Sequence, residues 1–117
     1  MKKITIAFDV DGTLRSNGSV EKVVKANERI RTLLIILSSF KNVDIMVWSG
    51  GGEIYARQMA RALGVYTYVD KFAGKNMIGK DDEGHPIFEP TTDKPDIAID
   101  DIQDCELGKI NLIVREK

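Results

Sequence analysis

An apolar run, Ile4-Thr5-Ile6-Ala7-Phe8, that ends in Asp9-Val10-Asp11-Gly12-Thr13 constrains this chain more than any other segment. Such a run reads as a buried strand, and its end can carry two carboxylates one residue apart only if something cationic offsets their repulsion. A second run, Ile97-Ala98-Ile99, ends in Asp100-Asp101. Two strands therefore present acids at their carboxyl ends, which in an open parallel sheet is the edge where ligands bind.

Between these points strand-like and helix-like segments alternate, which implies parallel strands joined by crossover helices. The first strand is expected over residues 3–9. Ser19 can cap a helix in which Val20, Val23, Val24, Asn27, Ile30, Leu34 and Leu37 recur at helical spacing, with Lys22, Lys25 and Arg29 on other faces. An apolar strand over 43–48 leads through Ser49-Gly50-Gly51-Gly52 into a second helix over 53–63, closed by Gly64. Residues 65–69 read as a third strand. Ile78-Gly79-Lys80 and Pro86-Ile87-Phe88 flank an acidic turn, so a small surface hairpin is expected within 76–90. The fourth and fifth strands fall over 96–100 and 110–114, with a helical turn over 102–107 between them. The expected class is α/β with a mostly parallel, five-stranded sheet.

The 117 residues fit a single domain, and neither gap between the expected elements is long enough for a large cap. Lysine and arginine total 17 against 18 acids, a net charge of -1, so no global field draws the chain to nucleic acid or to an anionic membrane. Cys105 stands alone, which rules out an internal disulfide and suits a reducing compartment. The apolar stretch after Lys2-Lys3 is cut short by Asp9, and the longest uncharged apolar stretch, 33–37, is too short to span a bilayer. A soluble, cytoplasmic protein is the expectation.

Asp9-Val10-Asp11-Gly12-Thr13 after a first strand, Ser49 at the end of a second and Asp100-Asp101 at the end of a late one resemble the haloacid dehalogenase superfamily of phosphohydrolases. The likeness covers the whole chain in outline and implies a Rossmann-like three-layer sandwich without a large cap domain. It implies that Asp9 is a nucleophile that becomes an aspartyl phosphate, and that Asp11 protonates the leaving oxygen and then takes a proton from water. Acids alone would repel an anionic substrate, so a hard cation with oxygen ligands is required, and Mg²⁺ fits. Asp9 and Asp100 would hold it by their side chains and Asp11 by its backbone carbonyl, with Asp101 beside them. Ser49 offers a hydroxyl to the phosphate, Gly50 a backbone N–H, Gly12 the tight exit from the strand, and Thr13 a hydrogen bond to the loop or to Asp9.

The family pattern also needs a lysine to neutralise nucleophile and phosphate. Lys71 directly follows the expected third strand and is the favoured candidate; Lys75 lies one short loop further on. Lys94, beside Pro95, is the rival, but the six residues to Asp100 span roughly 20 Å when extended. The helix that commonly separates this lysine from the last acids is replaced here by the hairpin.

The implied substrate is a phosphate monoester, either a small molecule or an accessible phosphate on a macromolecule, and an oligomer stays open. A response-regulator receiver domain shares the length, acids, hydroxyl and lysine, but needs a phospho-accepting aspartate after a middle strand, where this chain has Ser49. A catalytically silent binding module is the third reading, and the intact Asp9 and Asp11 pair argues against it. His85 reads as a solvated turn residue, Cys105 as a small buried filler, Met46 and Met59 as core, Arg57 and Arg61 as surface, and Trp48 as either core or pocket wall.

Overall fold

A computed structural model of the chain describes residues 3–16, 24–91, 93–101 and 107–114. Strand β1 (Ile4–Asp9) is followed by helix α1 (Glu28–Ser38), β2 (Val43–Ser49) and α2 (Glu53–Ala62). After a 3₁₀ turn (Tyr66–Tyr68) come β3 (Lys71–Lys80), β4 (Pro86–Pro90), β5 (Ile97–Asp100) and β6 (Ile110–Ile113). The strands form one six-stranded sheet ordered β4-β3-β2-β1-β5-β6, in which all neighbours are parallel except the β3–β4 pair.

The chain builds outward from β1 to β3 and then crosses back to β5 and β6 on the other side. That reversal makes a switch point between β1 and β5, and the crevice beyond their carboxyl ends is where such sheets bind ligands. Asp9 and Asp100 are the last residues of those two strands.

Side-chain alternation divides the core. On one face Ile6, Phe8, Ile45, Val47 and Ile99 pack against Leu34 of α1 and Ala56, Met59 and Ala60 of α2. On the other, Ala7, Met46, Trp48, Ala73 and Ala98 form a second cluster with Leu107, against which Ile87 and Phe88 of β4 pack. Among the described residues both helices thus lie on one face, and the hairpin closes the other. Met46 and Met59 are core as expected, and Trp48 is fully buried. No helix among the described residues is long and apolar enough to cross a membrane.

The structure corrects the expected elements in three places. The sheet has six strands instead of five, because the hairpin's second arm, β4, joins it alongside β3. Residues 65–69 form no strand: Gly64 at φ 73° ends α2, the Val65 N–H donates to the Ala60 carbonyl, and the chain tightens into the 3₁₀ turn. Contact with β2 starts at Asp70, whose N–H donates to the Ile45 carbonyl and whose carboxylate accepts the Ile45 N–H, each at 2.8 Å, and β3 begins at Lys71. β3 runs unbroken from the sheet into the hairpin.

Helix α1 starts at Glu28, later than the spacing predicts. Residues 24–27 are extended, with Ser16 N–H donating to the Lys25 carbonyl and Asn27 N–H to the Leu14 carbonyl, each at 2.8 Å. Ser19, Val20, Lys22, Val23, Cys105 and all but Leu107 of the turn over 102–107 lie outside the described residues.

Candidate active site

The parallel register sets the site at one level. Asp9 pairs with Trp48, Ser49 with Gly74, and β5 ends at Asp100. β3 continues one residue further and delivers Lys75. The Lys75 ammonium is buried and donates to Asp9 Oδ1 at 2.8 Å and to Asp100 Oδ2 at 2.9 Å. Carboxylate oxygens of Asp9, Asp100 and Asp101 all lie within 4.8 Å of one another. Acids from opposite ends of the sequence therefore converge on the switch point, and the cation demanded by their repulsion is present.

Lys71, favoured from the sequence, is not in the site. As the first residue of β3 it lies toward the opposite edge of the sheet, largely exposed and 3.8 Å from Asp44. Lys75 lies four residues further along the strand, a span of roughly 13 Å. Lys94 is exposed and lines a separate groove with Lys71, Arg57 and Pro95.

Burial pushes the Asp9 carboxyl from 3.8 up to about 8; Lys75 opposes this shift and Asp100 and Asp101 add to it. Asp101, half-buried, is raised to about 6 by burial and by its hydrogen bond and like charge with Asp100. Burial alone would depress the Lys75 ammonium, but Asp9 and Asp100 outweigh it and hold its pKa above the ordinary value. Three carboxyls thus share one lysine, and Asp9 and Asp101 hold protons that a second cation would displace. The cluster's donors are all oxygen, the set a hard divalent cation takes.

Thr13 Oγ1 donates to Asp9 Oδ2 at 3.2 Å, so both oxygens of Asp9 accept hydrogen bonds. Gly12, at φ 82°, makes the turn that brings Thr13 back to Asp9. Ser49 is buried, and its Oγ accepts the Gly51 N–H at 3.0 Å. Gly50 and Gly51 let two aromatic rings close in on this loop. A Cβ on Gly50 would come 2.6 Å from Phe88, and one on Gly51 would come 3.0 Å from the Tyr55 ring.

Strand alternation suggests that Asp11 shares the face of Asp9, but β1 ends at Asp9 and Asp11 stands on the following loop. There Asp11 Oδ1 accepts from the Tyr55 hydroxyl at 2.8 Å and from Arg15 Nη1 at 3.3 Å. Burial, then the contact with Asp11, pushes the Tyr55 phenol up, so it remains a donor through neutral pH.

A cleft of about 400 Å³ opens over these groups, lined by Asp9, Asp11, Ser49, Lys75, Phe88 and Asp101 among others. Phe88 also covers Lys75, with the ammonium 5.2 Å from its ring centroid and 5.7 Å from that of Trp48. Tyr55, Arg15 and Phe88 belong to no motif. The paired glycines beside Ser49 are the trace that Phe88 and Tyr55 leave in the sequence, since each marks a close approach to the loop.

His85 is exposed at the hairpin tip, 3.5 Å from Asp81, as expected for a turn residue. Arg57 and Arg61 lie over the rings of Phe72 and Tyr66 at 4.7 and 4.3 Å and stay outside the cleft. No family model matches the chain, and neither a curated protein nor a solved structure does.

Proposed function

We propose that this chain is a magnesium-dependent phosphomonoester hydrolase of the haloacid dehalogenase type, working through an aspartyl phosphate on Asp9. The observation that carries the reading is Lys75 bridging Asp9 and Asp100 at the switch point, with the Asp101 carboxylate beside them. The strand order fits the Rossmann-like sheet that the resemblance implies.

Three oxygen donors within 4.8 Å of one another suit Mg²⁺, which Asp9, Asp100 and Asp101 would hold together with the Asp11 carbonyl. When bound, the ion supplies positive charge to the phosphoryl oxygens. Lys75 stabilises the ionised form of Asp9 and adds its own charge, while Thr13 stops the carboxylate from rotating. The Ser49 hydroxyl and the Gly50 N–H receive the remaining phosphoryl oxygens.

An Asp9 oxygen attacks phosphorus, the bond to the ester oxygen breaks, and Asp11 gives its proton to the departing alcohol. Water then attacks the phosphorus of the aspartyl phosphate and yields a proton to Asp11. Orthophosphate leaves, and Asp9 is restored. The open cleft accepts a small phosphate monoester or an accessible phosphate on a macromolecule.

The test is turnover of an aryl phosphate with Mg²⁺ by the wild type and by Asp9→Asn. Multiple turnover that the variant loses is expected. A wild type without turnover fits a receiver domain or a silent binding module and refutes the hydrolase.

A further inference from the structure

We propose that Tyr55 is the positioning residue for Asp11 and fixes which oxygen of that carboxyl hands the proton to the leaving group. The inference rests on the hydrolase reading above. Asp11 lies beyond the end of β1, on a loop, with half of its side chain exposed. A short acidic side chain in that setting samples several rotamers unless something holds it, and proton transfer in a transition state demands one.

Tyr55 provides that restraint from a rigid element. It sits in the first turn of α2, the helix that opens from the Ser49 loop, and its ring lies so close to Gly51 that a Cβ there would come within 3.0 Å. The hydroxyl meets Asp11 Oδ1 at 2.8 Å, and Arg15 Nη1 meets the same oxygen at 3.3 Å and the hydroxyl at 3.5 Å. Both donors converge on Oδ1. Among the described residues Oδ2 accepts no hydrogen bond, and Asp11 lines the cleft beside Asp9 and Ser49. Oδ1 is therefore the anchored atom and Oδ2 the one that carries the proton. Because the phosphate loop runs directly into α2, the same helix sets the acid and the phosphate at a fixed spacing.

The test uses Tyr55→Phe, which keeps the ring and removes only the anchoring hydroxyl. kcat/KM is measured with Mg²⁺ over phosphate monoesters ranging from nitrophenyl to simple alkyl, beside wild type and Asp11→Asn. An alkoxide needs a proton as it leaves and a nitrophenolate hardly does, so a displaced acid harms the poor leaving groups. The expected loss in Tyr55→Phe is about 10-fold or more on the alkyl esters and under about 3-fold on the nitrophenyl ester. Asp11→Asn is expected to show the same trend more steeply.

A uniform loss, or none, in Tyr55→Phe beside a steep Asp11→Asn trend overturns the role of Tyr55 and leaves the hydrolase standing. A wild type without turnover, or an Asp11→Asn trend that is itself flat, overturns the acid role of Asp11 and this proposal with it.

Discussion

Replacing Lys75 by methionine keeps an unbranched stem against Trp48 and Phe88 but removes the ammonium that both Asp9 and Asp100 hold. Breaking a buried ion pair from one side costs about 3–5 kcal/mol, because the remaining charge is left uncompensated. Once Asp9 is ionised, two carboxylates lose their partner, each exposed by under a tenth, and the loss falls at the upper end. A chain of 117 residues holds roughly 6–18 kcal/mol in all, so the variant still folds. At about 3–6 °C per kcal/mol for this size, its melting temperature drops by about 15–30 °C.

The loss depends on pH with a definite sign. The Asp9 carboxyl already stands at about 8 against 3.8 when unfolded, and without Lys75 it rises further. Wild type and variant both keep a proton on Asp9 between 3.8 and about 8, so the difference between them is smaller there. It grows as pH rises above about 8, where wild type ionises Asp9 against Lys75 and the variant still holds the proton. Thermal and urea unfolding without divalent cations, at about pH 5 and about pH 9, measures it. Adding Asp9→Asn to Lys75→Met removes one of the stranded charges and is expected to restore more than half of the loss. A Lys75→Met protein within about 1 kcal/mol of wild type at the higher pH refutes the reasoning, as does a double variant no more stable than the single one.

Two further outcomes follow from the same electrostatics. Mg²⁺ has to displace the protons that Asp9 and Asp101 hold with pKa values of about 8 and about 6, so its affinity rises with pH across that window and binding releases protons. Without the ion, wild-type stability falls as pH rises over the same range; calorimetry in buffers of different protonation enthalpy reads the proton release, and a flat affinity contradicts it. Lys71→Met and Lys94→Met are expected to leave Mg²⁺ affinity and turnover within about 2-fold of wild type, because neither lysine reaches the cleft. A loss of turnover in either, measured in the same aryl phosphate assay, reverses the lysine assignment.

The acids were legible because fully buried parallel strands are written as unbroken apolar runs, and Asp9 and Asp100 stand where two such runs stop. Thr13 was legible because a glycine turn after a strand must bring the next residues back. Lys75 was obscured by its surroundings. Phe72-Ala73-Gly74-Lys75-Asn76 carries few residues that favour strands, whereas residues 65–69 look apolar and β-branched. The helix exit at Gly64 and the capture of the Ile45 N–H by Asp70 overrode that propensity and moved the strand start to Lys71. A lysine that seemed to follow a strand therefore begins one, and the next cation on the same strand face reaches the acids. The late start of α1 has a similar cause: the loop after Asp11 captured residues 24–27 as an extended partner, a pairing between distant backbone groups that helical spacing does not reveal.

A phosphoryl group carried by Asp9 during turnover can be trapped there chemically. Protein mixed with excess aryl phosphate and Mg²⁺ is quenched in acid, reduced with borohydride and mapped by peptide mass spectrometry. An acyl phosphate on Asp9 is expected to appear as homoserine at that position, and in no Asp9→Asn sample. Steady turnover with Asp9 left unmodified, or with the reduced residue found at another position, contradicts the account.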